Sequence, residues 1–408
     1  MLLASLAVDN SLLILSDTHL SRGYGKRCGQ ELATLLRAHA DCELVFAGDI
    51  FDLSLDAPTV PLRESLGRAL APHGELLDAL KQHTQRGGRL TIVPGNHDGP
   101  LFEPDLSEEL RRHIQPQRAE NVQVCPWFLR RGDLHIEHGH LYDPDCAPNH
   151  PLADSNRESE GLGTALMRRF VAPNDALIFA HAHETTPLSG LRTAIQKWKI
   201  RSPLLIANYF RTAGGLMAEA RATDVVERDR AQGTALVAQH ARGQGLKSDA
   251  LEQLLYAAPV PTHHSVELMF RRLYFDRILS GVCLSVGLGL LAARGLGTEQ
   301  VASTLFEPSG MLSFGGLLLL AFGAGSLAGS LRRDHQAGEA SVVERLEQGA
   351  RAIRETTGAP WVILGHSHVE ADEPGYLNLG SFGFPRGLGR PYLLASASGR
   401  PQKYFFRV

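Results

Sequence analysis

Thiols are few in this chain of 408 residues, aromatic rings are sparse, and neither sign of charge is in real excess. The five cysteines, Cys28, Cys42, Cys125, Cys146 and Cys283, include no C-x-x-C pair. That argues against a disulfide framework and a thiolate zinc site, and it fits a reducing compartment. Forty-one basic and forty-four acidic residues leave a formal charge of −3. No global positive field therefore draws in nucleic acid, although a local patch stays open. At 43% hydrophobic and 21% charged, the composition excludes a disordered chain, a collagen and a polytopic membrane protein. At roughly 150 residues per domain, the length suits two or three domains, or one large domain with an insertion. Residues 1–10 lack a basic leader, and their apolar character continues into Leu12-Leu13-Ile14-Leu15. A buried strand is expected there rather than a cleaved targeting segment.

Histidine is what the chain has in quantity: there are eighteen, several beside Asp, Asn and Gly where apolar runs end. Leu12-Leu13-Ile14-Leu15 leads to Ser16-Asp17, Glu43–Ala47 to Gly48-Asp49, and Arg89–Val93 to Pro94-Gly95-Asn96-His97-Asp98. Leu134–Glu137 leads to His138-Gly139-His140, Trp361–Leu364 to Gly365-His366-Ser367-His368, and Gly375–Leu379 to Gly380-Ser381. Each reads as a short buried strand delivering polar residues at its C-terminal end. Helical stretches at Gln30–Ala40 and Glu64–Gln85 separate the early strands, so the fold class is α/β with helices on the sheet faces. Ligands of such sheets gather at the carboxyl ends of the strands. Residues Pro391–Val408 alternate weakly and are expected to add edge strands.

From Tyr142 to Thr357 this rhythm stops, over a stretch too long to be a loop. The expected organisation is a core of residues 1–145, a mostly helical insertion or cap over 146–357, and the rest of the core in 358–408. Within the insertion Ala218–Ala258 is helix-prone and charged. Two apolar runs without charge follow, Ile278–Ala293 and Pro308–Leu331, and they predict a helical hairpin over about 274–331. Both are rich in glycine, and Gly325 and Gly329 have the spacing that lets helices approach closely in lipid. Arg271, Arg272 and Arg277 precede the first run, Arg332 and Arg333 follow the second, and the linking loop carries only Arg294. That asymmetry puts both ends of the hairpin on the cytoplasmic side of a membrane. The alternative is a soluble cytoplasmic protein whose hairpin is buried in a cap or a dimer interface; about 1 kcal/mol per helical glycine weighs against it.

The strand-end residues form a candidate dinuclear metal site. Asp17, His19, Asp49, Asn96, His138, His366 and His368 offer oxygen and nitrogen donors without thiolate, which suits Mn²⁺, Fe or Zn²⁺. Two metals need a shared ligand, and a carboxylate such as Asp49 supplies one. The blocks Asp17-Thr18-His19, Gly48-Asp49-Ile50-Phe51-Asp52, Gly95-Asn96-His97-Asp98, His138-Gly139-His140 and Gly365-His366-Ser367-His368 resemble the calcineurin-like metallophosphoesterases, and in that family's order. The resemblance covers the first 145 and the last 50 or so residues. It implies the family's β-sandwich flanked by helices, here interrupted by the large insertion. It also implies two divalent ions, with Mn²⁺ favoured: one held by Asp17, His19, Asp49 and His368, the other by Asp49, Asn96, His138 and His366. A hydroxide bridging them would attack phosphorus. His97 would stabilise the transition state or protonate the leaving oxygen, Asp52 and Asp98 would orient ligands, and His140 would touch substrate. His181 and His183 also end an apolar run and are the alternative to His366 and His368.

Within the family, Gly48-Asp49-Ile50-Phe51 and His138-Gly139 are similar to the UDP-2,3-diacylglucosamine pyrophosphohydrolases, which hold acyl chains under a helical insertion. His97 departs from the arginine of that branch and matches broader phosphomonoesterases and phosphodiesterases. Three functions follow as expectations. The first is a membrane-associated hydrolase of a lipid-linked or nucleotide-linked phosphoester. The second is a DNA nuclease of the same superfamily, which the charge balance disfavours. The third is a non-catalytic membrane scaffold. The oligomeric state stays open.

Overall fold

A computed structural model describes residues 11–23, 25–153, 160–174, 176, 195–220, 223–293, 308–336 and 342–407. Residues 1–10, His181 and His183 lie outside this set. The chain divides into two compact units, Met1–His264 with Val342–Val408, and Ser265–Ser341.

In the first unit the strands are β1 (Leu12–Leu15), β2 (Glu43–Ala47), β3 (Leu90–Val93), β4 (Val122–Val124), β5 (Phe128–Arg131), β6 (Leu134–Glu137), β7 (Trp361–Leu364), β8 (Glu370–Glu373), β9 (Tyr376–Leu379), β10 (Arg390–Ala395) and β11 (Gln402–Phe406). Its helices are α1 (Lys26–Ala38), α2 (Leu62–Leu70), α3 (Gly74–Gln85), α4 (Pro104–Ile114), α5 (Leu162–Leu166), α6 (Ser202–Glu219), α7 (Thr223–Gly243), α8 (Ser248–Ala257) and, after the second unit, α12 (Val342–Thr357). One sheet runs β11-β10-β1-β2-β3-β4 and the other β5-β6-β7-β9-β8. Strands β1 to β4 are parallel, as are β6, β7 and β9.

The side-chain alternation of these strands builds three apolar layers. Leu13 and Leu15 face helices α1 to α4 together with Leu32, Leu36 and Leu110. Leu12 and Ile14 face the other way and meet Ile136, Ile363 and Leu377 of the second sheet. The far side of that sheet, with Val362 and Leu364, packs on Val237, Leu254 and Ile353 of α7, α8 and α12. Helix, sheet, sheet, helix is therefore the layer order, and central strands buried on both faces explain their unbroken apolar runs. Strands β1, β2, β3, β6 and β7 all end at one rim.

Several elements differ from the sequence reading. Glu64–Gln85 is two helices, because Pro72 stands between α2 and α3 and has no amide to continue the ladder. Ala218–Ala258 likewise divides, with Gly245 in the left-handed region at φ +68° after α7. Of the two strands that Pro391–Val408 adds to, β11 is at an edge, whereas β10 pairs with β1 as well.

The second unit holds α9 (Val266–Arg272), α10 (Phe275–Ala293) and α11 (Pro308–Gln336). The last two form an antiparallel hairpin: Gly287 meets Gly316, and Gly323 meets Ser280 and Leu284. Gly325, expected to make the close approach, has open space where a Cβ would stand. At the hairpin base Ser330 Oγ donates to Asp276 Oδ2 at 2.7 Å. Both helices are long and apolar enough to cross a membrane, and only 17% of each apolar window is buried. Val282, Leu288, Met311, Phe314, Leu318 and Phe322 are each about half exposed or more.

Candidate metal centre

Each strand at the rim hands its last residues to a tight turn. Asp17, His19, Asp49, His366 and His368 all have φ between +48° and +67°, a region non-glycine residues rarely occupy. Such conformations cost on the order of 1–3 kcal/mol each and persist where the surroundings over-determine them. Here the surroundings are a hydrogen-bond lattice. Asp17 N donates to Gly48 O at 3.0 Å and His19 N to Asp49 O at 2.9 Å. His97 N donates to Asp49 Oδ1 at 2.8 Å, and His366 N to Asp17 Oδ2 at 3.2 Å. The Asp98 carboxylate accepts from Gly95 N at 2.7 Å, Ile50 N at 2.7 Å, and Asp49 N and Phe51 N at 3.2 Å. It ties the second and third turns together. Glycine is required beside these turns: a Cβ on Gly48, at φ +90°, would strike the His138 ring, and one on Gly95 would strike the Asp49 carboxylate.

The structure brings six of the seven expected ligand residues into two buried groups that share a rim. Asp17, His19 and His368 form one, and Asp49, His138 and His366 the other, with one donor atom of each residue within 4.8 Å of the others in its group. A third combination, His19 with Asp49 and His97, makes Asp49 the residue common to both sides. Asn96, the seventh, donates from Nδ2 to Thr164 Oγ1 at 3.3 Å, and its Oδ1 is buried without a hydrogen-bond partner.

Whether these residues suit a cation is decided by the atoms that face each other. His138 Nδ1 lies 3.0 Å from Ala47 O, so it carries the proton and donates, which leaves the Nε2 lone pair 3.2 Å from Asp49 Oδ2. His368 Nε2 lies 3.2 Å from Asp17 Oδ1 and 3.0 Å from His19 Nε2. The lone pairs of His138 Nε2 and Asp49 Oδ2 repel at that distance unless a positive charge stands between them. In the protein alone that charge is a proton: burial would lower the pKa of His138, but Asp49 and Asp17 override it and raise it to about 10. Burial likewise opposes ionisation of Asp49, yet His138, His97 and His19 hold its carboxyl well below the usual range. A divalent cation on oxygen and imidazole donors does the same work, so the residues fit the metal.

His97 stands apart. Its side chain is 12% exposed, against 8% or less for the grouped Asp and His side chains. Nδ1 lies 3.0 Å from Asp52 Oδ1 and 2.9 Å from Ser54 Oγ, while Nε2 lies 4.0 Å from Asp49 Oδ2. Burial would lower its pKa, but Asp52 and Asp49 raise it to about 9. Asp52 therefore serves His97, and Asp98 serves the backbone of the turns. The His140 ring sits 5.4 Å from His138 and 6.5 Å from His366, with Nδ1 buried and unpartnered.

Other polar residues support the turns around the site. Arg168 is buried and donates to Leu53 O at 2.9 Å and Asp56 O at 3.0 Å, pinning the turn that follows Asp52. His263 and His264 both reach Asn149 Oδ1 at 2.7 Å. Sequence reasoning missed Ser54, Thr164 and Asp143, whose Oδ2 is 3.0 Å from His366 Nε2.

Residues 11–202 match the family model described as calcineurin-like phosphoesterase. Over that stretch the chain is similar to the metallophosphoesterase superfamily, and the match supports a metal-dependent phosphoester hydrolase. The match continues past residue 145 into the cap helices and stops before β7, so His366 and His368 join the site on geometry. No curated protein matches the chain in sequence.

Proposed function

We propose that the protein is a dinuclear phosphoester hydrolase held at the cytoplasmic face of a membrane, acting on a lipid-linked or nucleotide-linked phosphoester. Asp17, His19, Asp49 and His368 would hold one ion, and Asp49, Asn96, His138 and His366 the other. Donors that are all oxygen or imidazole favour Mn²⁺ for both. When bound, the ions would supply Lewis acidity to the phosphoryl oxygens and would lower the pKa of the attacking water. The chain's own residues do the rest. The oxygen of water bonds to phosphorus as the bond to the leaving oxygen breaks, and the water gives up a proton to solvent. His97, its Nδ1–H held by Asp52 and Ser54, gives its Nε2 proton to that leaving oxygen. Asp52 stabilises the imidazolium until then.

The Nε2 lone pair of His138 facing Asp49 Oδ2, and the convergence of His368 Nε2 on Asp17 and His19, carry the metal reading. The apolar helices α10 and α11, outward-facing over most of their length, support the membrane reading. A second sign is charge: residues 185–218 hold Arg192, Lys197, Lys199, Arg201 and Arg211 and no acidic residue. Lys197 lies over the Trp198 ring at 4.8 Å and Ile200 is 94% exposed, a mixture suited to anionic headgroups.

The test is fractionation of cells expressing the full chain, followed by hydrolysis of bis(p-nitrophenyl) phosphate with Mn²⁺ or chelator. The protein should pellet with membranes through a high-salt wash and leave them only in detergent, with chelator-sensitive activity in the same fraction. Recovery in the soluble fraction without detergent would remove the membrane reading, and chelator-resistant hydrolysis would remove the metal reading.

A further inference from the structure

One buried carboxylate beside the centre has no place in either ligand set. After β6 the chain passes through Gly139, at φ +102°, into a short 3-10 turn His140–Tyr142. That turn brings Asp143 back under the rim, 2% exposed. Its Oδ2 lies 3.0 Å from His366 Nε2, while Oδ1 accepts from Asp145 N at 3.2 Å and from Arg345 of α12 at 3.4 Å. Cys146 lies near enough to share a cation with Asp143 and His366. Burial and the two carboxylates Asp143 and Asp145 push its thiol far up, so no thiolate is available to it.

We propose that Asp143 is a positioning residue that fixes the His366 ring for the ion shared with Asp49, Asn96 and His138. This rests on the dinuclear reading above. An ionised carboxylate can only accept, so His366 must carry its proton on Nε2 and donate it to Asp143. The remaining lone pair is then Nδ1, which leaves a neutral imidazole of one tautomer as the donor. Oriented in this way, a metal-binding histidine is more basic and loses less rotational freedom on binding. Removal of such a partner costs roughly 10- to 100-fold in metal affinity. Arg345 gives Asp143 a cationic partner on its other oxygen, Oδ1, at 3.4 Å.

The full chain in detergent, stripped with chelator and titrated with Mn²⁺, tests this. Manganese per chain and the spin-resonance spectrum are the readouts. Wild type should bind two ions with an exchange-coupled spectrum. Asp143→Ala should weaken one of the two about 10- to 100-fold and leave an uncoupled spectrum at one ion per chain. In a His366→Ala background the same substitution should cost nothing further, since its effect passes through that ring. If Asp143→Ala does not fold, Asp143→Asn, which keeps an acceptor but turns an amide toward Arg345, should weaken the same ion less. Unchanged binding of both ions, equal loss of both, or an undiminished effect in the His366→Ala background would each overturn the proposal. If wild type itself binds no manganese, the dinuclear reading fails instead.

Discussion

Replacing His97 with Asn separates proton donation from every other part of the site. The ring makes no bond to Asp17, His138 or His368; its polar partners are Asp52 Oδ1 at 3.0 Å and Ser54 Oγ at 2.9 Å, both through Nδ1. The side chain that replaces it can still bond Ser54, so the turn should survive. What vanishes is the Nε2 proton. General acid catalysis contributes about 10²- to 10⁴-fold, or roughly 3 to 5 kcal/mol, and only where the leaving oxygen needs a proton. The loss in kcat/KM should therefore be large for phenyl and alkyl esters. It should shrink to a small factor for p-nitrophenyl esters, whose oxygen leaves as a stable anion. Asp52→Asn should follow the same pattern with a smaller amplitude, because Ser54 still holds Nδ1. The assay is a series of aryl phosphodiesters at fixed Mn²⁺, with manganese content checked for each variant. A uniform loss across the series, at unchanged metal content, would refute proton donation by His97 and leave charge stabilisation as its role.

Gly95→Ala places a methyl group against the Asp49 carboxylate and within 2.7 Å of its backbone nitrogen, where little can yield. It should cost about 1–3 kcal/mol and more than tenfold in manganese affinity; a melting curve and a metal titration would read both, and wild-type values would contradict the packing argument. Acid should loosen the cap side of the first unit. Burial holds His263 and His264 near pKa 4, below the 6.5 or so of the unfolded chain. Stability from these rings is complete above about pH 6.5 and falls as the pH drops toward 4, by on the order of 3 kcal/mol at His263. Melting of the chelated protein between pH 7 and 4 would show it, and a double change to Gln should flatten that part of the curve. In the hairpin, Gly323→Leu should disrupt the packing of α10 on α11, while Gly325→Leu should be tolerated, as protease resistance of the detergent-solubilised protein would reveal.

The contrast between those two glycines shows where sequence stops informing. The turns of the candidate centre were legible because each follows an apolar strand directly, so local order already placed Asp17, Asp49, Asn96, His138 and His366 at strand ends. Sequence spacing also offered Gly325 and Gly329 as a packing pair, but a four-residue interval says only that two residues share a helix face, not which face meets the partner. Gly316 and Gly323, seven apart, lie on the face that does, and Gly325, two residues on, is turned roughly 200° away from Gly323. Asp143 was hidden for a related reason. Its partner His366 is 223 positions distant, and the two meet only because β6 and β7 are parallel neighbours whose ends reach the same rim. The same is true of His97 and Asp52: one motif supplies the ring and another the carboxylate, and each looked complete by itself. Local pattern thus locates a donor, whereas the tautomer and orientation that make it useful come from partners that the sheet order alone brings near.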